Sequence, residues 1–220
     1  MLTAAGQRAR NDDGFTLPEL IITMAILAII MVPLAQVVIS YLINAESVRA
    51  RQTESKDQQI ASHYWSSDVA SVGQRDPSTF AASDGVNTGS CGTAPSGGTA
   101  QISLRWTRFS FTAPSTTVAP TTTTVTYYST PSTSTAGGTL VRKVCVNGST
   151  VTRENTIARS LLIDGSHPFE CKSGSGSFAA CPSLSGSGNS GLHLRFFVKE
   201  PSGEGQEYET VLRGQRRQMS

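Results

Sequence analysis

The chain has 220 residues and a formal net charge of +2, with 18 basic and 16 acidic side chains. This length suffices for one domain plus a membrane anchor, and a net charge so close to zero does not by itself imply a nucleic-acid partner. Only 15% of the residues are charged, and Ser, Thr and Gly are abundant, as in exported domains with long surface loops.

A basic leader and a long apolar run open the chain. Arg8 and Arg10 precede a segment, residues 20–43, that contains no charged residue, and about 20 apolar residues are enough to span a hydrocarbon core. One carboxylate, Glu19, stands at the head of this run. An acid in a membrane helix costs about 2.5–3.5 kcal/mol near the bilayer centre and less near an interface, so a compensating partner is expected.

The residues around that acid, Gly14-Phe15-Thr16-Leu17-Pro18-Glu19, resemble the prepilin signal of type IV pilins and type II secretion pseudopilins. The resemblance implies that a prepilin peptidase cuts between Gly14 and Phe15 and that Phe15 is then N-methylated. No cofactor is predicted. It also implies that Glu19 pairs with the terminal amine of a neighbouring subunit in a fibre. Such a pair, about 4 Å apart at an effective dielectric of about 20, gains roughly 4 kcal/mol, which is comparable to the insertion cost.

An ordinary signal peptide or anchor with an incidental glutamate is the alternative. A secretory signal has a shorter apolar core, followed by a small-residue cleavage site. The apolar run here is too long, and Leu34-Ala35-Gln36 is a poor site of that kind.

The sequence divides into a leader (1–14), a transmembrane half-helix (15–43), an exposed half-helix (44–73) and a β-rich globular domain (74–220). Within the membrane half, Pro33 predicts a kink or local unwinding; a proline simply tolerated in a membrane helix is the other interpretation.

The exposed half-helix begins with a polar stretch, residues 49–59, and continues with apolar residues at helical spacing. This stripe predicts a face that packs on a sheet, with Trp65 in the core. Its members are Ile60, Ala61, Tyr64, Trp65, Val69 and Val72. Gly73 is a predicted C-cap, and Asp76-Pro77 ends the helical pattern.

Alternating apolar residues predict strands in the rest of the chain. They lie at 102–106, 109–111, 125–128, 140–146, 149–153, 157–163, 192–198 and 208–212. Asn147-Gly148 predicts a two-residue type I′ hairpin, and residues 201–205 predict a turn between the last two strands. Residues 77–100, 112–124, 129–138 and 172–191 are expected to be loops or linkers, and residues 213–220 a frayed basic tail.

Four cysteines follow the apolar run, and an even number outside a membrane indicates disulfides. Three pairings are open. We favour Cys171–Cys181 and Cys91–Cys145, which would contribute about 2.5–3 and about 4 kcal/mol in the chain-entropy model. No C-x₂-C spacing indicates zinc.

Two further stretches carry a weaker resemblance. Trp65-Ser66-Ser67-Asp68-Val69 is similar to the L-x-x-D-[LIV] stretch of J-type pseudopilins and W-type minor pilins. Val125-Thr126-Tyr127-Tyr128, a loop, and then Leu140-Val141-Arg142-Lys143 resemble the Y-loop-L-x-R hairpin of the same subfamily. A solvated helix residue is an equal interpretation of Asp68.

The sequence contains no motif of a known active site. His63, His167 and His193 are scattered, and Asp164-Gly165-Ser166-His167 does not make a triad by adjacency. The acids are too sparse to predict bound calcium, and no metal site is expected.

Together these patterns predict an α+β fold, with a long N-terminal transmembrane-then-soluble helix packed on an antiparallel sheet. They predict a structural, non-enzymatic minor pilin or pseudopilin, membrane-anchored with its C-terminal domain extracytoplasmic and then assembled into a pilus or pseudopilus. The implied partners are the prepilin peptidase, other pilin subunits, the inner-membrane assembly platform and membrane lipid, with no direct contact to nucleic acid. A tip adhesin or ligand-binding subunit, or a plain anchored domain, is the alternative.

Overall fold

The computed structural model describes residues 16–72, 85–87, 89–110, 119–131, 137–164, 166–181, 191–199 and 207–216. The chain forms two compact units, Met1–Ser47 and Val48–Ser220. Helix α1 (Leu17–Val72) runs through both. The described strands are β1 (Gly85–Val86), β2 (Thr99–Ser110), β3 (Ala119–Ser129), β4 (Gly138–Val146), β5 (Val151–Leu162), β6 (Glu170–Ser173), β7 (Ala179–Ala180), β8 (Gly191–Lys199) and β9 (Glu207–Gln215).

All the strands join one antiparallel sheet in the order β1-β2-β3-β4-β5-β8-β6-β7, with β9 on β8. The first five follow chain order, and β8 then pairs with β5 through only two residues at the end of β5. Just before that junction Ser160 has a φ of 59°, and the register of β5 against β4 shifts. After this irregularity Leu161 pairs with Gly138 of β4 on one side and with Val198 of β8 on the other, so the end of β5 joins the two parts of the sheet. One long helix with an antiparallel sheet confirms the predicted α+β, pilin-like class.

The core of the second unit lies between the C-terminal part of α1 and one face of the sheet. Ala61, Trp65 and Val69 are fully buried, which confirms the predicted apolar stripe. The indole Nε1 of Trp65 donates to the carbonyl oxygen of Leu192 at 3.2 Å, and its ring meets that of Tyr127 edge-on at 5.3 Å. Trp65 is therefore a core residue, as predicted.

Strand β9 approaches α1 closely at Gly214. A Cβ placed on this glycine would lie 2.6 Å from the Cβ of Val69, closer than carbon atoms pack. Glycine at this position lets the last strand lie directly on the helix, and no sequence pattern pointed to it. Residues 213–215 are thus paired in β9, and the prediction that they belong to a frayed tail is wrong.

The prediction for the Thr-rich segment is also wrong. Residues 119–124 were expected to be a solvated linker, but they pair with β2 from Ser110↔Ala119 to Arg105↔Thr124. Threonine is β-branched and suits a pleated surface, so its polarity misled the prediction. Phe109 continues β2 and does not begin a second strand; Phe111 and residues 112–118 lie outside the described residues.

The β4–β5 connection is a hairpin, but not of the predicted type. Residues 147–150 link the two strands, and Asn147 has a φ of 52° whereas Gly148 is not in the left-handed region. A type I′ turn needs positive φ at both central residues. Instead, Asn147 and Thr122 exchange two hydrogen bonds of 2.8 Å, from Asn147 N to Thr122 O and from Thr122 N to Asn147 Oδ1.

Short pairings occupy parts of the expected loops. Strand β1 and the first residues of β2 fall within 77–100, and β7 falls within 172–191. The predictions for Gly73, Asp76-Pro77 and the turn at 201–205 lie outside the described residues.

Two disulfides cross-link the second unit. Cys91 is bonded to Cys145 and Cys171 to Cys181, with Cα–Cα distances of 5.5 and 4.6 Å. This is the pairing that the sequence favoured. All four cysteines are fully buried.

Candidate functional site

The first candidate site is the start of α1. The carbonyl oxygen of Thr16 accepts hydrogen bonds from Glu19 N at 3.0 Å and Leu20 N at 3.2 Å, which close the first turn. Glu19 lies in that turn and is exposed. A carboxylate here complements the positive end of the helix dipole. Gly14 and Phe15, where cleavage and methylation are predicted, lie outside the described residues.

The helix behind Glu19 is apolar on every side. Leu17–Ala45, 29 residues with a mean hydropathy of 2.6, is long and apolar enough to cross a membrane. A helix that is hydrophobic all round must be covered by lipid or by other helices, and each such side chain gains about 1.5–3 kcal/mol when it is buried. Its exposed large side chains are Leu17, Leu20, Ile21, Ile22, Met24, Ile26, Leu27, Ile29, Ile30, Met31, Val32, Leu34, Val37, Val38, Ile39, Tyr41, Leu42 and Ile43.

Pro33 lies inside α1, which is helical on both sides of it without a break. Local unwinding is therefore not a feature of this conformation. The predicted kink stays a prediction.

The second candidate site is a buried polar cluster that ties α1 to the sheet. Asp68 is 3% exposed and Arg142 is 7% exposed. The Arg142 guanidinium donates two hydrogen bonds of 2.7 Å to the Asp68 carboxylate, from Nε to Oδ2 and from Nη2 to Oδ1. The Tyr127 hydroxyl donates to Asp68 Oδ2 at 2.6 Å, and the Tyr64 ring lies 4.7 Å from Arg142 Cζ. We call Asp68, Tyr127 and Arg142 the buried triad.

The buried triad joins the two stretches that carried the weaker resemblance. Asp68 comes from the helix, Tyr127 from β3 and Arg142 from β4, and the sheet register places Tyr127 directly opposite Arg142. The interpretation of Asp68 as a solvated helix residue is therefore wrong. A bidentate Arg–carboxylate pair fixes the angle of both groups, so the triad sets how α1 lies on the sheet.

Burial and the Asp68 carboxylate together raise the pKa of Tyr127 well above its ordinary value of 10.0. Burial alone would lower the pKa of Arg142, but its hydrogen bond to Asp68 and the charge of Asp68 outweigh burial and raise it. The neutral phenol and the charged guanidinium are thus the forms that the fold stabilises.

We expect the free energy of unfolding to fall as the pH rises above about 10, the pKa of an unfolded tyrosine. The folded pKa of Tyr127 is raised, so its contribution is fully present below that pH and is lost towards the folded pKa. Urea titrations of the full chain between pH 8 and pH 11 measure this loss, and Tyr127→Phe should make it smaller. An equal loss in that variant would contradict the assignment to Tyr127.

A second helix–sheet ion pair was missed by sequence reasoning. Asp57, in the stretch predicted to be polar on all sides, is only 8% exposed, and Arg159 Nη1 lies 3.1 Å from its Oδ1. A signal was present, because Asp57 lies four residues before Ala61 and so shares the buried face of the helix.

The residues Asp164, Ser166 and His167 form a turn and not a hydrolytic triad. Asp164 Oδ1 accepts from the backbone N–H groups of Ser166 at 2.7 Å and His167 at 2.9 Å, which lowers the pKa of Asp164. The His167 ring bridges Asp164 and Glu207, at 2.9 and 3.2 Å, so both ring nitrogens lie against carboxylates. Within the described part of the chain, no group of three or more His, Cys, Asp or Glu side chains is arranged to hold a metal.

These features define a class of protein: an α+β, pilin-like protein whose apolar N-terminal helix suggests membrane anchoring. Residues 9–35 match the family model of the prokaryotic N-terminal methylation motif. The match supports a type IV pilin or pseudopilin that a prepilin peptidase processes. No curated protein and no solved structure matches the chain significantly.

Proposed function

We propose that the protein is a structural subunit, a minor pilin or pseudopilin, that is cut between Gly14 and Phe15 and drawn from the membrane into a helical fibre. The observation that carries this proposal is the methylation motif over residues 9–35, placed directly on an uninterrupted apolar helix with Glu19 in its first turn. Assembly buries the apolar side chains among other helices, and Glu19 sets the axial register by pairing with the amine of a neighbouring subunit.

The J-type or W-type kind of subunit is the finer proposal. It is supported by the buried triad, because both stretches that resemble this subfamily contribute residues to one ion-paired cluster. A domain beyond the membrane is supported by the two disulfides, which persist in oxidising compartments.

The experiment compares Glu19→Ala with Gln36→Ala, a matched change of an uncharged polar residue in the same apolar run. We expect Glu19→Ala to be cleaved and methylated normally but to be absent from sheared fibres, because its helix lacks the charge that pairs with the amine. Gln36→Ala should be incorporated like the unaltered chain. Intact-mass measurement reports cleavage, and immunodetection in purified fibres reports incorporation.

Two results would overturn the proposal. The first is a mature chain that retains its first fourteen residues or is clipped elsewhere. The second is normal incorporation of Glu19→Ala, which would remove the role of the carboxylate while leaving the processing intact.

A further inference from the structure

A row of three basic side chains crosses the sheet on the face turned away from α1. The register pairs Lys172 on β6 with His193 on β8, and His193 with Arg213 on β9. The neighbouring residue of β8, Leu194, is fully buried against the core, so His193 and its two partners lie on the opposite face. We call these three residues the basic row.

The positive charge of the basic row is not balanced within the described residues. No described carboxylate lies within ion-pair distance of Lys172, His193 or Arg213; Lys172 Nζ instead lies 5.2 Å from the Phe178 ring. Like charges directly opposite each other across strands are destabilising. Burial is the main cause that lowers the pKa of His193, and the charges of Lys172 and Arg213 lower it further, so both cations lie close enough to act on the imidazole ring.

The next row along the same strands is built differently. There Glu170 on β6 lies directly opposite Arg195 on β8 and forms an ion pair with it. Glu209 on β9 lies diagonally across from Arg195, opposite Phe197, and reaches the Arg195 guanidinium at 3.8 Å. The sheet thus places acids beside one basic residue and leaves the adjacent basic row without them. An external anion would supply the missing charge.

The shape and chemistry of the row indicate which anion fits. Three strands at about 4.8 Å spacing span roughly 10 Å, more than one phosphate group covers. A guanidinium fork, an ammonium and an imidazole suit phosphate oxygens. A membrane surface fits less well, because no residue of β6, β8 or β9 is among the exposed large apolar side chains that would insert into lipid.

We propose that Lys172, His193 and Arg213 form a binding site for successive phosphates of single-stranded nucleic acid. The expectation of no nucleic-acid partner rested on the net charge of +2, which averages over the chain and does not report a local row. The site does not depend on fibre assembly, so it is tested separately.

The test uses the full chain in nanodiscs of phosphatidylcholine and a 20-mer of thymidylate, which offers phosphates without a base sequence. We expect the logarithm of the binding constant to fall with the logarithm of the salt concentration with a slope of about −1.4 for two charged contacts. Arg213→Gln should bring that slope to about −0.7, and Lys172→Gln/Arg213→Gln should weaken binding about tenfold or more. Lys199→Gln, on the same face of β8, is the matched control and should bind normally.

The His193 ring resonances should shift on addition of the oligonucleotide, while those of His63 on α1 should not. Inorganic phosphate should produce a weaker shift of the same resonances. The proposal is overturned if the oligonucleotide does not bind, or if Lys199→Gln weakens binding as much as the double variant. It is also overturned if polyglutamate competes as well as thymidylate, or if only phosphatidylglycerol vesicles bind.

Discussion

Asp68→Ala is expected to lower the free energy of unfolding by about 3–5 kcal/mol, because it leaves the buried Arg142 guanidinium without its counter-ion. The Tyr127 hydroxyl also loses its acceptor at 2.6 Å. Urea denaturation of the full chain in micelles, followed by the fluorescence of Trp65 and Trp106, measures the loss. Trp65 is the sensitive probe, since it lies one helical turn from Asp68 and packs on Tyr127.

Asp57→Ala is the matched control on the same helix. Asp57 also pairs with an arginine, but the side chain of Arg159 is 57% exposed, so water replaces the lost partner. We expect a smaller loss, on the order of 1 kcal/mol. Equal losses for the two variants would mean that burial of the triad does not govern its contribution.

A variant that replaces the whole buried triad tests whether the unpaired charge causes the loss of stability. Asp68→Leu with Tyr127→Phe and Arg142→Met replaces the buried triad by apolar side chains, and we expect it to be more stable than Asp68→Ala because no buried charge is left unpaired. If that variant is as unstable as Asp68→Ala, the uncompensated charge is not the cause.

Removal of the Cys91–Cys145 bond by changing both residues to Ala is expected to cost about 4 kcal/mol, and removal of Cys171–Cys181 about 2.5–3 kcal/mol. The difference follows from the closed loops, since the bonds join residues 54 and 10 positions apart. The longer loop restricts the unfolded chain more.

Hydrogen bonds around Cys91 also connect the Cys91–Cys145 disulfide to strand β3. Its N–H donates to Thr126 Oγ1 at 2.8 Å, and the Tyr128 hydroxyl donates to its carbonyl oxygen at 3.0 Å. These bonds hold the segment before β2 against β3. Thermal unfolding of the two double variants, with and without reductant, measures the contribution of each disulfide. A larger loss from the short loop than from the long one would contradict the loop-length account.

Local sequence patterns were enough to predict those helices and strands whose conformation depends on residues adjacent in the chain. The apolar run after Glu19, the stripe through Trp65 and the strand around Leu194 were all predicted, because helix and strand periodicity is written in consecutive residues. The Thr-rich start of β3 was missed, because consecutive threonines show no alternation of apolar and polar residues.

Contacts between segments far apart in the chain determine the burial and the partners of the charged residues. Asp57 and Arg213 look solvated in the sequence, and Asp68 has two equal interpretations. In the structure Asp68 lies in a buried ion pair, Asp57 faces an arginine of β5, and Arg213 completes a row across three strands. Burial depends on how α1 lies on the sheet, and a charge row depends on register between strands that are far apart in the chain. The chain alone specifies which side chains are available and which local elements they form. Long-range packing selects which of those side chains meet, because the energy of a charge depends on the water and the partners around it.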